Sequence, residues 1–500
     1  MRDFLRRTTG LGGVLVAVLL CVFCASESAR ADGSLGPEGT PITTSDYSVD
    51  FTRGPVLSSS RATGLSGAFS SIAEGAEGGL TNPAAVANRY NASADSWDYW
   101  LALGFTYPIE NGDFFNSGNY LDKTASLPAS SFFFLNPGAY LQLKQLGFGL
   151  DLDITQATIR GTPAGSTQEQ FVKLSFITNH VQVGYLFWDG QLSIGGGLQV
   201  VREFITGGVT GQPGDQLYNT SGFGGEVGVL LRPNDRQWRL GAGYYSGVRT
   251  RARGDASSTG DIMAGNLYLP ASSLKPMQGS LSFAYQFGSR PLNPRWTYVD
   301  EHAHEALAAI DRREELARRS HDERMAEIRA TDGTDFLTRL SEEEHDFEEQ
   351  TRLFEVERAA VRKQAWRDLR AQVRTGWPRR YLLLVSELTF TGRVPDGVGV
   401  ESFLLQTVQR SGERVTFTPR IAVESEVWPQ HMKLRTGFYL EPTRFAESNP
   451  RLHWTFGFDV KLFRWDVFRV WPEDYLWQLI AALDVTTGYS AFSLGIGGWY

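Results

Sequence analysis

Most of this sequence alternates apolar and polar residues with a period of two, and this pattern constrains the fold more than any other feature. Period two with one apolar face is the pattern of a β-strand that has one wet side and one apolar side. In 454–462 the apolar positions are Trp454, Phe456, Phe458, Val460 and Leu462, and the intervening ones are Thr455, Gly457, Asp459 and Lys461. The sequence therefore predicts an all-β chain.

Short and long connections between the predicted strands alternate along the chain. Tight turns at one end and long loops at the other are typical of a transmembrane β-barrel. The short turns lie at 188–190, 233–237 and 428–432, and the long polar loops at 109–127, 206–219, 251–275 and 392–413. An even number of strands returns the last strand to the first, so that the sheet closes without an edge. The fourteen predicted strands are 97–108, 130–144, 146–158, 170–187, 190–204, 220–232, 238–250, 277–287, 380–391, 414–427, 433–442, 452–466, 476–486 and 490–500.

The composition narrows the classes of protein that are possible. A mean hydropathy of −0.24 excludes a polytopic helical membrane protein, and an aromatic content of 12% excludes a disordered chain. A net charge of −8 argues against a nucleic-acid partner. A secreted β-sandwich or propeller is the soluble alternative, but it does not explain strands of ten or more residues with aromatic outer faces. In a barrel, Leu150, Phe456 and Phe458 should face lipid, and Asp151 and Asp459 should face the lumen.

The first 31 residues have the features of a secretory signal peptide. Basic residues at Arg2, Arg6 and Arg7 precede an apolar stretch, and an A-x-A cleavage pattern ends at Ala31. Both cysteines of the chain lie in this segment, so we expect the mature protein to have no disulfide, thiolate metal site or cysteine nucleophile. Together with the strand pattern, this predicts a bacterial outer-membrane protein.

A stretch of small residues between 60 and 84 leads to an Asn-Pro-Ala motif just before the first strand. It resembles the N-terminal hatch of the FadL family of outer-membrane transporters and of the related PorV-like proteins. Pro83 biases Asn82 away from helical conformation, and Asn82 can cap nearby backbone groups. The candidate hatch residues are Arg61, Gly64, Gly67, Asn82, Pro83 and Ala84.

The resemblance implies a fourteen-stranded antiparallel barrel with the N-terminal segment folded inside it as a plug. It further implies passive uptake of hydrophobic small molecules, either long-chain fatty acid-like or aromatic, and lateral exit through the barrel wall. The alternative is a PorV-like scaffold or shuttle that presents partner proteins at the outer membrane.

The C-terminus resembles the signal that the outer-membrane assembly machinery reads. Apolar residues share one face of the last strand, and the chain ends on an aromatic residue. Gly498 departs from the pattern, because a hydrophobic residue is usual there. The candidate residues of the assembly signal are Phe492, Gly495 and Tyr500.

One insertion differs in composition from the rest of the chain. Between Asp300 and Arg374 there are 20 acidic and 14 basic residues and no proline. Apolar residues recur at helical spacing, with Phe347, Phe354 and Val361 seven apart. We predict a helical hairpin on the periplasmic side, with a turn at 331–333, and a possible docking site for a periplasmic protein. The mature N-terminus should lie on the same side.

Chemical motifs are scarce, and we expect neither an enzyme nor a cofactor. There is no G-x-S-x-G, Walker A or H-E-x-x-H pattern. The pairs Glu301/His304 and Glu342/His345 have metal-ligand spacing, but glutamate-rich helices produce such pairs by chance, and we assign no metal site.

The remaining expected partners are outer-membrane lipid, a hydrophobic ligand and the assembly machinery. The predicted domains are 1–31 (signal peptide), 32–95 (arm and plug), 96–287 (strands 1–8), 288–378 (helical insertion) and 379–500 (strands 9–14).

Overall fold

The computed structural model describes ten ranges of the chain. The predicted signal peptide, the predicted turn at 331–333 and Tyr500 lie outside them. The described ranges are 35–90, 97–118, 125–126, 132–162, 166–251, 263–264, 267–330, 335–446, 448–464 and 476–499.

Fourteen antiparallel strands form a closed barrel, as predicted. Each strand pairs with the next along the chain, and the first pairs with the last through the register Leu103↔Ile496. The strands are β1 Trp97–Asn111, β2 Phe133–Leu143, β3 Leu146–Gly161, β4 Gln170–Phe187, β5 Leu192–Val209, β6 Asp215–Leu231, β7 Trp238–Tyr245, β8 Gln278–Gly288, β9 Tyr381–Thr391, β10 Thr416–Trp428, β11 Met432–Glu441, β12 Arg451–Arg464, β13 Leu476–Thr486 and β14 Tyr489–Gly498. Closure pairs β14 with β1, so neither of these two strands is an edge strand.

The two faces of the wall match the predicted alternation. Leu150 and Phe456 point outward with 49% and 37% of their surface exposed, whereas Asp151 and Asp459 point inward and are buried. Phe458 lies on the same face as Phe456 and is half-buried. Aromatic side chains gather at the outer ends of several strands, as in the girdles of membrane barrels. At the end that carries the short turns, exposed aromatic residues of this kind are Trp97, Tyr185, Phe187, Trp188, Phe287 and Trp428.

The barrel has a turn end and a loop end. The turn end carries the connections at 144–145, 188–191, 232–237 and 429–431, and the loop end carries the connections at 246–277 and 392–415. A small sheet lies among these loops. Its strands are Val248–Arg251, Ser272–Lys275, Ser48–Asp50 and Gly397–Val398, in that order.

Two predictions about chain path are wrong. The described N-terminal residues lie at the loop end, opposite the predicted side, because Ser48–Asp50 forms parallel pairs with strands from two long loops. The predicted strand 238–250 also divides. β7 ends at Tyr245, and Val248–Arg251 joins the small sheet.

Six helices are present in the described ranges. Ser60–Gly64 (α1) and Gly75–Gly78 (α2) precede a 3-10 turn at Pro83–Val86. Between β8 and β9, at the turn end, lie Val299–His302 (α3), His304–Ala330 (α4) and Phe336–Ala371 (α5), and Val400–Leu405 (α6) lies at the loop end. In the part of the chain that the structure describes, no helix has both the length and the apolar character needed to cross a bilayer.

Helices α4 and α5 form the hairpin that the apolar spacing predicts. The ring of His321 stacks on Phe347 with centroids 4.2 Å apart, and Arg313 lies over the ring of Phe354. Arg313 also pairs with Glu357 of α5 at 2.5 Å, and both side chains are exposed. Such exposed ion pairs contribute little each, so the half-buried apolar seam holds the two helices together.

Replacing Phe456 with arginine should lower the free energy of unfolding by about 2–4 kcal/mol, because the guanidinium group would enter the apolar outer band at mid-strand. The measurement is urea-induced unfolding in phospholipid vesicles, followed by tryptophan fluorescence. Phe456→Leu keeps an apolar side chain and serves as the control. An arginine variant as stable as the leucine variant would contradict the outward assignment.

Candidate ligand passage in the barrel lumen

Residues 58–90, called here the inner segment, contact inward-facing groups on widely separated strands. Its serine hydroxyls pair with hydroxyls of β14, β12 and β8: Ser60 with Ser493, Ser66 with Thr455, Ser70 with Ser280 and Ser71 with Ser282, at 2.8–3.0 Å. On the other side of the ring, Gln142 of β2 donates to the carbonyl of Val86, and Ser193 of β5 donates to that of Ala84. Contacts from opposite sides of a closed ring place this segment in the lumen.

Two of the candidate glycines allow the inner segment to approach the wall. A Cβ on Gly64 would lie 2.8 Å from Cδ of Arg435 and 3.1 Å from Cα of Gly457. Gly67 has a φ of +74°, a conformation that L-residues rarely adopt, and Arg420 occupies the place of its missing side chain. Small residues are therefore required where the segment meets charged side chains of β10 and β11.

The Asn-Pro-Ala motif fixes a turn of the inner segment against β6. The Oδ1 of Asn82 accepts a hydrogen bond from the backbone N–H of Ala84, and Pro83 begins the 3-10 turn. The Nδ2 of Asn82 donates to the carbonyls of Ser70 and Val229. One side chain thus satisfies backbone groups of Ser70 and Ala84, which lie outside any strand, and joins them to Val229 of β6.

A buried charge network joins the inner segment to the wall. Arg435 binds Asp459 through two hydrogen bonds of 2.5 and 2.6 Å, and its Nε donates to Glu424 at 3.0 Å. Arg61 of the inner segment reaches the same Glu424 at 3.3 Å and lies near Glu74 and Glu77. Asp459 lies in the lumen, as predicted, and opposite charges pair there between neighbouring strands.

Apolar side chains fill the lumen at the loop end. They line a void of about 40 Å³, called here the chamber, which is far smaller than the roughly 300–1,000 Å³ of typical ligand sites. Phe51 and Phe176 meet there with ring centroids 4.4 Å apart, and Phe114 and Phe132 with centroids 4.8 Å apart. A ligand can enter this chamber only if side chains move.

The chamber adjoins a polar cavity of about 170 Å³ deeper in the lumen. Phe51, Arg53 and Lys275 line both spaces. Arg53 pairs with Asp153 at 2.6 Å, and the Nζ of Lys275 donates to the Oε1 of Gln199 at 3.1 Å. Two cations therefore stand where apolar surroundings give way to polar ones.

Beside the chamber, part of β6 lacks a strand partner in the described part of the barrel wall. β6 pairs with β7 only over Glu226–Leu231, so within the described residues Asp215–Gly225 has no strand partner on that side. Val248–Arg251 crosses the inner face of β6 there, because a Cβ on Gly222 would lie 2.6 Å from Cγ1 of Val248. Val248 also lines the chamber. A single short strand thus separates the chamber from this break in the wall.

The remaining predicted residues have other surroundings. Phe492 faces outward on β14, and Gly495 faces inward, where a Cβ would lie 3.0 Å from the hydroxyl of Ser60. The Glu-x-x-His pairs are exposed on the hairpin. Across the described ranges, no three His, Cys, Asp or Glu side chains are grouped as a metal ion would require.

The sequence could not identify the chamber. Its walls come from the N-terminal residues, the loop after β1 and five strands or loop strands that are distant in sequence. One indication was available in β3. Its inward face carries the polar residues Asp151 and Asp153 first and then the apolar residues Ala157 and Ile159, and this change predicts an apolar region of the lumen.

Comparison with known proteins gives structural similarity alone. No protein-family model matches the sequence, and no curated protein matches it. The CymD monoaromatic hydrocarbon channel is similar over 90% of this chain and 99% of that chain, with 9% identity and a TM-score of 0.46. Pseudomonas aeruginosa OprD is similar over 81% and 97%, with 10% identity and a TM-score of 0.22. The translocator domain of the autotransporter NalP from Neisseria meningitidis is similar over 81% and 88%, with 7% identity and a TM-score of 0.27.

The fold of this chain is that of the outer-membrane β-barrels. The closed ring of fourteen antiparallel strands and the apolar outer face define this class.

Replacing Gly64 with alanine should destabilise the protein by about 1–3 kcal/mol, although alanine favours a helix over glycine, because the new methyl group would press on Arg435 and on the backbone of β12. The measurement is the free energy of unfolding. Gly376→Ala is the matched control, since a Cβ there meets only ordinary contacts with Gln372, at 3.6 Å or more. Equal stability of the two variants would show that the lumen is not tightly packed at Gly64.

Proposed function

We propose that this protein is an outer-membrane channel for the passive uptake of hydrophobic small molecules. The observation that carries the proposal is the apolar chamber inside a closed barrel, one short strand away from a break in the wall. No energy source or chemical step is needed, because an apolar ligand moves from one apolar environment to another. The proposal therefore includes no catalysis and no cofactor.

The lining of the chamber favours an elongated or aromatic apolar ligand. Four phenylalanine rings contact one another in pairs, and such rings offer large apolar surfaces with defined stacking geometry. Lys275, which is bonded to the neutral amide of Gln199, stands at the inner boundary and would attract an acidic head such as that of a fatty acid. A long-chain fatty acid or a monoaromatic acid fits this arrangement.

The proposed path runs from the loop end to the chamber and then sideways into the bilayer. Movement of Val248–Arg251 away from β6 would join the chamber to the break beside Gly222. Phe223, which is 73% exposed on the outer face, lies at this position and provides an apolar surface for the emerging ligand. The inner segment acts as a plug that closes the direct route to the turn end.

Location in the bacterial outer membrane is part of the same proposal, with surrounding lipid and the assembly machinery as partners. The apolar outer face and the exposed aromatic residues at the turn end support it, as does the C-terminal strand, whose outward face carries Phe492, Leu494 and Ile496.

A disulfide between Gly222→Cys and Val248→Cys should abolish uptake by fixing the short strand against β6. A Cβ on Gly222 would lie 2.6 Å from Cγ1 of Val248, which is one bond from the Cβ of Val248, and the Cβ atoms of disulfides lie about 3.5–4.5 Å apart. The measurement is uptake of a radiolabelled long-chain fatty acid and of a monoaromatic acid by bacteria that carry the oxidised variant. Reduction with dithiothreitol should restore it.

The control is Gly222→Cys alone, which alters the same site without forming a cross-link. The only native cysteines, Cys21 and Cys24, lie in the predicted signal peptide, so no other disulfide should compete. Uptake that continues unchanged in the oxidised double variant would exclude the break as the exit.

A scaffold for partner proteins is the second candidate, and the hairpin supports it. Both α4 and α5 leave large apolar side chains in solvent at its surface. They are Leu316, Leu337, Leu353 and Val356, with 58–74% of their surface exposed. Exposed apolar side chains on a charged helix pair are suited to binding another protein.

Deleting Asp300–Arg374 and joining β8 to β9 by a short turn should leave the barrel folded, because no barrel strand is removed. If the protein is only a channel, ligand uptake should persist at the native rate. If the hairpin docks a periplasmic partner, recovery of that partner in a pull-down should fall. Protease added outside intact cells should not cut the native hairpin, and cleavage there would invert the proposed orientation.

A further inference from the structure

At the turn end, a cleft of about 640 Å³ lies between the base of the hairpin and the barrel. Its walls combine the end of the inner segment, the turns after β4 and β6, and the linker at 291–298. This volume lies within the range of about 300–1,000 Å³ that is typical of ligand sites. The proposed transport path does not use this cleft.

Arg232 lines the cleft and is a buried cation without a carboxylate partner. It is 6% exposed, and its guanidinium group donates to the Oδ1 of Asn88 at 2.8 Å and to the carbonyl of Pro294 at 3.4 Å. Its Nε has no hydrogen-bond partner, and no carboxylate in the described residues forms an ion pair with it. A buried charge left in this state is costly, and an anion would relieve the cost.

Burial lowers the pKa of Arg232 to about 9, and repulsion from Arg239 adds to this lowering while Glu74 opposes it. The side chain remains mainly protonated at neutral pH. The shift therefore agrees with the geometry, in which neutral oxygens rather than a carboxylate surround the guanidinium group.

Two further arginines line the same cleft. Arg89 is buried, donates to the carbonyl of Lys144 at 2.7 Å and lies 4.4 Å from the ring centre of Trp296. Arg295 is exposed at the mouth of the cleft. The lining carboxylates are Asp189, Asp235 and Glu301, and all three are exposed, so water screens them.

The cleft continues onto the outer wall of the barrel. Tyr185 and Phe187, whose ring centroids lie 4.7 Å apart, line the cleft and also belong to the outward face of β4. Trp188 follows them at the turn. Aromatic side chains at this level of a barrel wall mark the boundary between hydrocarbon and headgroups. A molecule in the cleft can therefore place one end on Arg232 and the other along the apolar wall.

We infer that this cleft binds an amphiphile with an anionic head and an acyl tail, the head on Arg232, Arg89 and Arg295 and the tail on Tyr185 and Phe187. The head can be the phosphate of a membrane lipid or the carboxylate of a free fatty acid. This inference does not rest on the proposed transport function, because the cleft and the chamber share no lining residue.

The test is native mass spectrometry of the full-length protein in neutral detergent. The probes are dioleoylphosphatidylglycerol, dioleoylphosphatidylcholine, oleate and inorganic phosphate. The wild type should retain at least one of the two anionic amphiphiles about tenfold more tightly than phosphatidylcholine, and Arg232→Gln should remove most of this preference. Retention of phosphatidylglycerol alone identifies a lipid headgroup, and retention of oleate alone identifies a free carboxylate.

Arg236→Gln is the matched control, because Arg236 is exposed in the same turn and does not line the cleft. It should bind as the wild type does. Arg295→Gln changes an exposed residue and should weaken binding even if Arg232→Gln fails to fold. Equal retention of phosphatidylcholine and the anionic amphiphiles, binding of phosphate without any dependence on a tail, or unchanged binding in both arginine variants would overturn the inference.

Discussion

Backbone groups in an apolar environment must find hydrogen-bond partners within the protein, and this requirement shapes both the wall and its contents. The wall meets it by closing β14 onto β1. The inner segment has no such sheet, so side chains take over. Glu387 accepts from the backbone N–H groups of Phe69 and Ser70, and Asn82 binds the carbonyl of Ser70 and the N–H of Ala84. The polar lumen face is therefore the partner of the inner segment.

Buried ion pairs then fix the position of the inner segment against the barrel wall. Arg435 holds two carboxylates, and Arg61 extends the same network from the wall to the segment. Losing one member of such a buried group costs about 3–5 kcal/mol, because the others remain charged and unpaired. Toward the loop end the inward face of β3 becomes apolar, and phenylalanine rings line the chamber, whereas Glu441 and Arg451 remain paired at the loop end of β11 and β12. The proposed uptake of a hydrophobic ligand rests on this apolar part of the lumen.

Features that depend on local pattern could be predicted from the sequence. The alternation of apolar and polar residues predicted all fourteen strands and the faces on which Asp151 and Phe456 lie. The seven-residue spacing of apolar residues predicted the helical hairpin. Features that depend on distant pairing could not. Val248–Arg251 reads as the end of β7, yet it leaves the wall because Ser272–Lys275 and Ser48–Asp50 offer it a second sheet. Likewise, the sequence around Arg232 does not show that this residue is buried beside Asn88 and Pro294, because the three residues are distant in sequence.

The most direct test of the account is the selectivity of transport. Bacteria that express the protein and matched bacteria that lack it would be compared for uptake of a long-chain fatty acid and of a small sugar. The account predicts faster uptake of the fatty acid and unchanged uptake of the sugar, because the inner segment obstructs the polar lumen and the proposed exit adjoins the apolar chamber. The account would be contradicted if the protein accelerated uptake of both solutes equally. It would also be contradicted if the barrel were folded in the membrane and uptake of neither solute increased.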